Sequence, residues 1–154
     1  MLTNVGGLVY GTILVATLLA AESAAGETYA RTVAAVGAAL VAYWLTLSYA
    51  EYAGERVRRG EPLERDKLIE AARHEAALLL GAAVPFAALL VMWAAGVKLA
   101  TAITVAAWFA VGVIVTVEVA SGVRAGLRGR ELAGQVAIGG LLGLLVLAIR
   151  LLLH

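Results

Sequence analysis

The chain has 154 residues, 62% of them hydrophobic and only 6% aromatic, with a mean hydropathy of +0.92. Soluble domains are about 45–50% apolar, so this composition, rich in Ala, Val, Leu and Gly, points away from a soluble fold. It fits membrane helices that pack through small side chains. The absence of cysteine excludes disulfides, iron–sulfur clusters and thiolate metal sites, and a net charge of +1 exerts no global pull on nucleic acid.

The first apolar run, Val5–Ala21, predicts a membrane span. Small residues follow it, as at a signal-peptide cleavage site, but the first Lys or Arg is Arg31, so a basic leader segment is lacking and the run reads as a retained span. Glu22 then reads as an interfacial carboxylate. Residues 31–50 predict a second span, and residues 51–75 form a charged connector. Residues 76–117 contain one charge, Lys98. As a single helix this run would far exceed the ~30 Å hydrocarbon core, so it must fold back. Gly96-Val97-Lys98 is the natural corner, giving spans at 76–96 and 99–121. A short basic loop, 122–131, leads to a last span at 132–153. Barrel strands would be ~10 residues long and alternate polar with apolar. These continuous runs instead predict helices, which satisfy their own backbone hydrogen bonds in lipid. The expected fold is an all-α bundle of five transmembrane helices in a single domain.

Orientation follows from the basic residues. With five spans, Arg56, Arg58, Arg59, Arg65, Lys67, Arg73, Arg124, Arg128 and Arg130 share one side, and Arg31, Lys98 and Arg150 the other. The bias puts the N-terminus in the cytoplasm and the C-terminus outside, as expected for the plasma (inner) membrane of a prokaryote. Within the connector, the second span should continue as helix past Glu55 to Arg59. Gly60-Glu61-Pro62 should break it, and Pro62 suits the first turn of a new helix. That helix would set Leu63, Leu68, Ile69 and Ala72 near the membrane surface, with Glu70 at helical spacing to Arg73 and His74. The plainer alternative is a solvated connector.

Ionisable groups in or beside spans are the candidates for chemistry. Glu118 lies about one turn inside the fourth span, in Val-Thr-Val-Glu-Val-Ala. Glu51 ends the second, Glu55 lies one turn further on the same face, and His74 and Glu75 lead into the third. The topology brings all five to one membrane face. Converged, they would form a mouth able to bind a divalent cation or to exchange protons. The plainer reading is that they pair with Arg56, Arg73 or Arg124, or snorkel. Pro85 should kink the third span and free a carbonyl near Gly81. Gly7/Gly11, Gly122/Gly126 and Gly139/Gly143 permit close helix approach. Trp93 and Trp108 are expected to anchor or pack. Signatures of zinc, phosphate-loop and serine-hydrolase enzymes are lacking, so a non-enzymatic role is expected.

Leu47-Ser48-Tyr49-Ala50-Glu51-Tyr52 followed by Arg56–Arg59 resembles the end of the second span of the vacuolar iron transporter family, which reads M-A-L-G-E-Y before a basic stretch. Asn4-Val5-Gly6-Gly7-Leu8-Val9 is similar to that family's N-D-G-L-V. The resemblance implies five spans, a cytoplasmic N-terminus and a cytoplasmic metal-handling segment between spans two and three. The family's aspartate falls on Gly6 and its methionine on Leu47, so Glu51 alone carries over as a pathway residue. The expected function is a small cation or proton-coupled transporter or channel, acting as a homo-oligomer in the lipid bilayer. The alternative is a scaffold or accessory subunit that holds a partner through Gly-lined faces and the 51–75 segment. A third possibility is a lipid-modifying enzyme opening at Glu118.

Overall fold

A computed structural model describes residues 4–21, 28–60 and 65–153. Its secondary structure among those residues is wholly helical: α1 (Val5–Ala21), α2 (Tyr29–Arg59), α3 (Arg65–Ala94), α4 (Leu99–Arg124) and α5 (Arg130–Leu153). Glu22, the break at Glu61-Pro62 and Leu63 lie outside the described residues, as does the side chain of Arg150. Three helices, α2, α3 and α4, are long and apolar enough to cross a membrane, and α1 is a shorter apolar helix.

The helix ends follow local chemistry. The Asn4 side-chain oxygen accepts from the Gly7 N–H at 2.7 Å, and the Thr28 hydroxyl accepts from the Arg31 N–H at 3.4 Å. Both occupy the N-cap position and satisfy a donor that the helix leaves free. The α3–α4 corner falls at Gly96, whose φ of 69° closes the turn. The Val97 N–H reaches back to the Met92 carbonyl at 3.1 Å, which ties off the last turn of α3. Gly126 repeats the device after α4, with φ 78° and a 2.9 Å bond from the Leu127 N–H to the Gly122 carbonyl.

Helix length separates the elements into two kinds. At 1.5 Å per residue, α2 and α3 run to about 46 and 45 Å, whereas α1 reaches only about 26 Å. The paired α2 and α3 thus extend beyond their own apolar stretches, and this extension carries the charged residues from Glu51 onward and from Arg65 to Glu75. The shortest helix is the central one: α1 packs against each of the other four. It buries Leu8, Thr12, Val15, Ala16, Leu19 and Ala20, against Leu78, Ala82 and Leu89 of α3 and the small-residue face of α4.

At the point where α1 and α3 cross, the contact is made by backbone. A methyl group on Gly11 would overlap the Leu78 carbonyl, and one on Gly81 would overlap the Leu8 carbonyl. Glycine at both positions lets two helices meet without side chains between them. Pro85, one turn after Gly81, has no N–H, so the Gly81 carbonyl loses its usual donor within the helix. The buried Thr12 hydroxyl lies 2.8 Å from that carbonyl and 2.8 Å from its own Leu8 carbonyl. Leu8 already receives the Thr12 N–H at helical spacing, so Gly81 is the acceptor in need.

At the opposite end of α3 from its charged start, Tyr29 stacks on Trp93 with ring centroids 5.8 Å apart and planes within 4°. The Tyr29 hydroxyl donates to the Val97 carbonyl, tying the start of α2 to the α3–α4 corner.

The crossing predicts a sharp contrast among glycine substitutions. Gly81→Ala is expected to destabilise the fold by about 1–3 kcal/mol or more, the cost of overpacking. Gly112→Ala, where a methyl group meets nothing within 4 Å, is expected to be neutral. Thr12→Val is expected to cost about 1–3 kcal/mol through the unpaired Gly81 carbonyl, with Thr12→Ser close to the parent. Thermal unfolding in detergent checks all four.

Candidate functional site

Three of the five ionisable residues singled out from sequence come together. Glu51 on α2 and His74 and Glu75 on α3 each present a ligand atom, all within 4.8 Å of one another. The His74 Nδ1 lies 3.2 Å from Glu51 and 3.4 Å from Glu75. The group is graded in exposure: the His74 side chain is 49% accessible, Glu51 36% and Glu75 16%, so an ion would approach from the His74 side and meet Glu75 deepest.

Neighbouring elements hold these side chains in place. The Asn4 side-chain N–H donates to the His74 carbonyl at 3.3 Å, so the residue that caps α1 also fixes the backbone beneath the imidazole. The Trp44 indole N–H donates to the Ala72 carbonyl at 2.9 Å, joining α2 to α3 near Glu51. On the inward face of α2, Ser48 is buried and donates to the Trp44 carbonyl at 2.7 Å.

His74 and Glu75 precede the uncharged run that begins at Ala76, and their titration reflects their contacts. The hydrogen bond to Glu51 raises the His74 pKa above the usual imidazole value, against a smaller opposing effect of burial. Burial raises the Glu75 carboxyl above the usual carboxylate range, reinforced by the neighbouring Glu51 and countered by His74. Two carboxylates so close repel when both are charged, and a cation between them relieves that repulsion.

Glu55 and Glu118 lie elsewhere. Glu55 pairs with Arg58 one turn on along α2. Glu118 faces α5: the Gln135 side-chain amide donates to its carboxylate at 2.7 Å and to the Ser121 hydroxyl at 3.1 Å. A methyl group on Gly139 would lie 2.6 Å from the Glu118 Cγ, and one on Gly122 would lie 2.5 Å from the Leu132 Cδ1. Glycine at these positions therefore makes room for Glu118 and Leu132 at the α4–α5 interface, while Gly126 serves the turn. Helices α2 and α4 do not form a packed pair among the described residues, and α1 and α3 each contact both. The sequence-based expectation put Glu118 in one mouth with Glu51; here its carboxylate is engaged by Gln135 and is not among the ligand atoms gathered at Glu51.

Sequence reasoning missed Asn4, Thr12 and Gln135. Gln135 carried a usable signal, a lone amide inside an apolar span, which normally needs a partner on another helix. Thr12 and Asn4 carried none, since a threonine in an apolar run and an asparagine ahead of one are both ordinary. Comparison with protein-family models, with curated proteins and with solved structures finds no match.

Removing the amide tests the Glu118 assignment. Gln135→Ala is expected to cost about 1–3 kcal/mol by leaving the carboxylate without its donor, read as a lower thermal midpoint in detergent. Gln135→Ala at the parent's midpoint would show that the contact does not hold α4 to α5.

Proposed function

We propose that the chain is a five-span membrane protein that moves a divalent cation, alone or coupled to protons, and that Glu51, His74 and Glu75 load it. The observation that carries this reading is the gathering of three ligand side chains from two helices within 4.8 Å at the end of an apolar bundle. Two carboxylates and an imidazole make a mixed oxygen and nitrogen donor set suited to first-row divalent ions such as Mn2+, Fe2+ or Zn2+. Its partial exposure suits loading and release better than permanent retention.

In this reading all five helices cross the bilayer. At 17 residues α1 is at the short end of the spanning range of about 17–25, and α5 has 24. Nine of the twelve basic residues then lie on the side of the site, which puts the site and the N-terminus in the cytoplasm and the C-terminus outside. The membrane is the plasma membrane of a prokaryote, and copies assemble through apolar faces such as Ile138, Leu141 and Leu145 of α5, which are exposed in the single chain. The resemblance to vacuolar iron transporters supports the cytoplasmic placement of Glu51. Gly6 and Leu47 replace that family's aspartate and methionine, so the class of ion is proposed from the donor set at Glu51, His74 and Glu75.

A scaffold role is the second reading, and the disposition of Glu118 favours it. That carboxylate is engaged by Gln135 and is not among the ligand atoms gathered at Glu51. Co-purification of a stoichiometric partner, with liposomes containing the chain impermeable to Mn2+, would favour it.

The transport reading predicts saturable Mn2+ uptake by liposomes containing the purified chain. Glu51→Gln and His74→Ala are each expected to weaken Mn2+ binding by about tenfold or more, whereas Glu118→Gln leaves it unchanged. Calorimetry that detects no Mn2+ binding would sink the site. Binding needs a neutral imidazole, and the His74 pKa is raised, so proton competition is expected to begin at a higher pH than for an isolated histidine. Below that point affinity should fall about tenfold per pH unit for the one proton displaced. For topology, Val57→Cys and Val123→Cys are expected to react with an impermeant maleimide only from the cytoplasmic side, and Lys98→Cys only from outside.

A further inference from the structure

The two sides of the cluster belong to helices held in different ways. His74 and Glu75 stand on α3, which meets α1 backbone to backbone at Gly11 and Gly81. The Thr12 hydroxyl bridges the crossing, and Asn4 donates to the His74 carbonyl. Tight backbone contact has no slack: a small slide of α1 along α3 would drive carbonyls together. Glu51 stands on α2, which packs chiefly on α3 and only lightly on α1. Its polar links include the tips of long side chains, Trp44 to the Ala72 carbonyl and Tyr29 to the Val97 carbonyl. Rotamer changes let such arms keep their bonds while the helix that bears them moves.

Polar satisfaction differs in the same direction. The buried Thr12 hydroxyl of the α1–α3 crossing is bonded. Among the described residues, the buried side-chain polar atoms without a partner are the hydroxyls of Thr32 and Tyr52. Both belong to α2, near its two ends. Thr32 is fully buried and Tyr52 is 5% exposed. A buried hydroxyl without a partner has given up hydration and gained nothing. Thr32 recovers a bond by turning to the Thr28 carbonyl one turn back, as Thr46 does with Ala42, but the Tyr52 hydroxyl is held too far from its own helix backbone, so this seating of α2 leaves free energy at Tyr52 to be recovered by another one. Packed interfaces change between discrete arrangements rather than deforming continuously.

We propose that α2 shifts against a fixed α1–α3 pair, carrying Glu51 toward and away from His74 and Glu75. In the arrangement described here the His74 Nδ1 lies 3.2 Å from Glu51 and the ligand set is assembled. In the other arrangement the Tyr52 hydroxyl gains a partner and the set is open. The shift itself stands on packing; its use, cation capture and release, rests on the function proposed above.

Because the chain contains no cysteine, introduced spin labels report without background. Full-length protein in nanodiscs would carry labels at Val57→Cys and Val123→Cys, reporting α2 against α4. A second preparation, with Ile69→Cys and Val123→Cys, reports α3 against α4. All three positions are exposed. Electron–electron double resonance is expected to show two separations for the α2 pair and one for the α3 pair in the absence of metal. Addition of Zn2+ is expected to collapse the α2 pair to one separation, and Glu51→Gln to abolish that collapse. Tyr52→Phe removes the unpartnered hydroxyl and is expected to shift the population toward the assembled arrangement. A single α2 separation, unmoved by Zn2+ and by Tyr52→Phe, overturns the proposal, as does an α3 separation that changes as much as the α2 one. Two α2 separations whose ratio Zn2+ leaves unchanged would support the shift and overturn the cation reading instead.

Discussion

The bond from Thr12 to the Gly81 carbonyl is the constraint on which the other packing depends. Pro85 removes the donor that Gly81 would otherwise have from its own helix, and an apolar bundle offers no water to replace it. The partner has to come from another helix, and it has to approach closely. Gly11 and Gly81 permit that approach by leaving nothing between the two backbones. Once α1 is seated there, its other faces receive α2, α4 and α5, and the shortest helix becomes the centre of the bundle.

The same seating determines which polar groups can meet. Helices α2 and α4 share α1 and α3 as neighbours, but α4 also packs on α5, and the carboxylates of Glu51 and Glu118 are drawn into different pairings. Glu51 meets His74 and Glu75 across the α2–α3 pair. Glu118 meets Gln135 across the α4–α5 pair, over the space left by Gly139. Two carboxylates that look alike along the chain thus differ in their prospects: one shares an accessible cluster with an imidazole, and the other receives an amide at a helix contact.

Much of the helical pattern was legible in the sequence. Uninterrupted apolar runs demand helices because a backbone away from water must bond within its own segment. Gly96 marked the α3–α4 corner because a run of that length cannot continue straight and a left-handed turn favours glycine. Pro85 implied a freed carbonyl near Gly81, and the structure adds its donor. The pairing of Glu51 with His74 and Glu75 was legible as proximity at one end of two adjacent helices. The separation of Glu118 from that group was not, because hydropathy gives the depth of a residue along a helix and says nothing of its azimuth or its neighbours.

By itself, then, the sequence determined the helices, the corner at Gly96, and the end of the bundle at which the charged residues gather. These are set by local physics, namely hydrogen bonding within a segment, backbone preference and hydrophobic run length. Only the tertiary structure decided that α1 lies at the centre, that Thr12 answers the carbonyl freed by Pro85, and that Glu51 and Glu118 part company. Those outcomes depend on which helix faces which, and that is decided by the close fit of small residues such as Gly11 and Gly81, whose partners are some seventy positions apart in the chain.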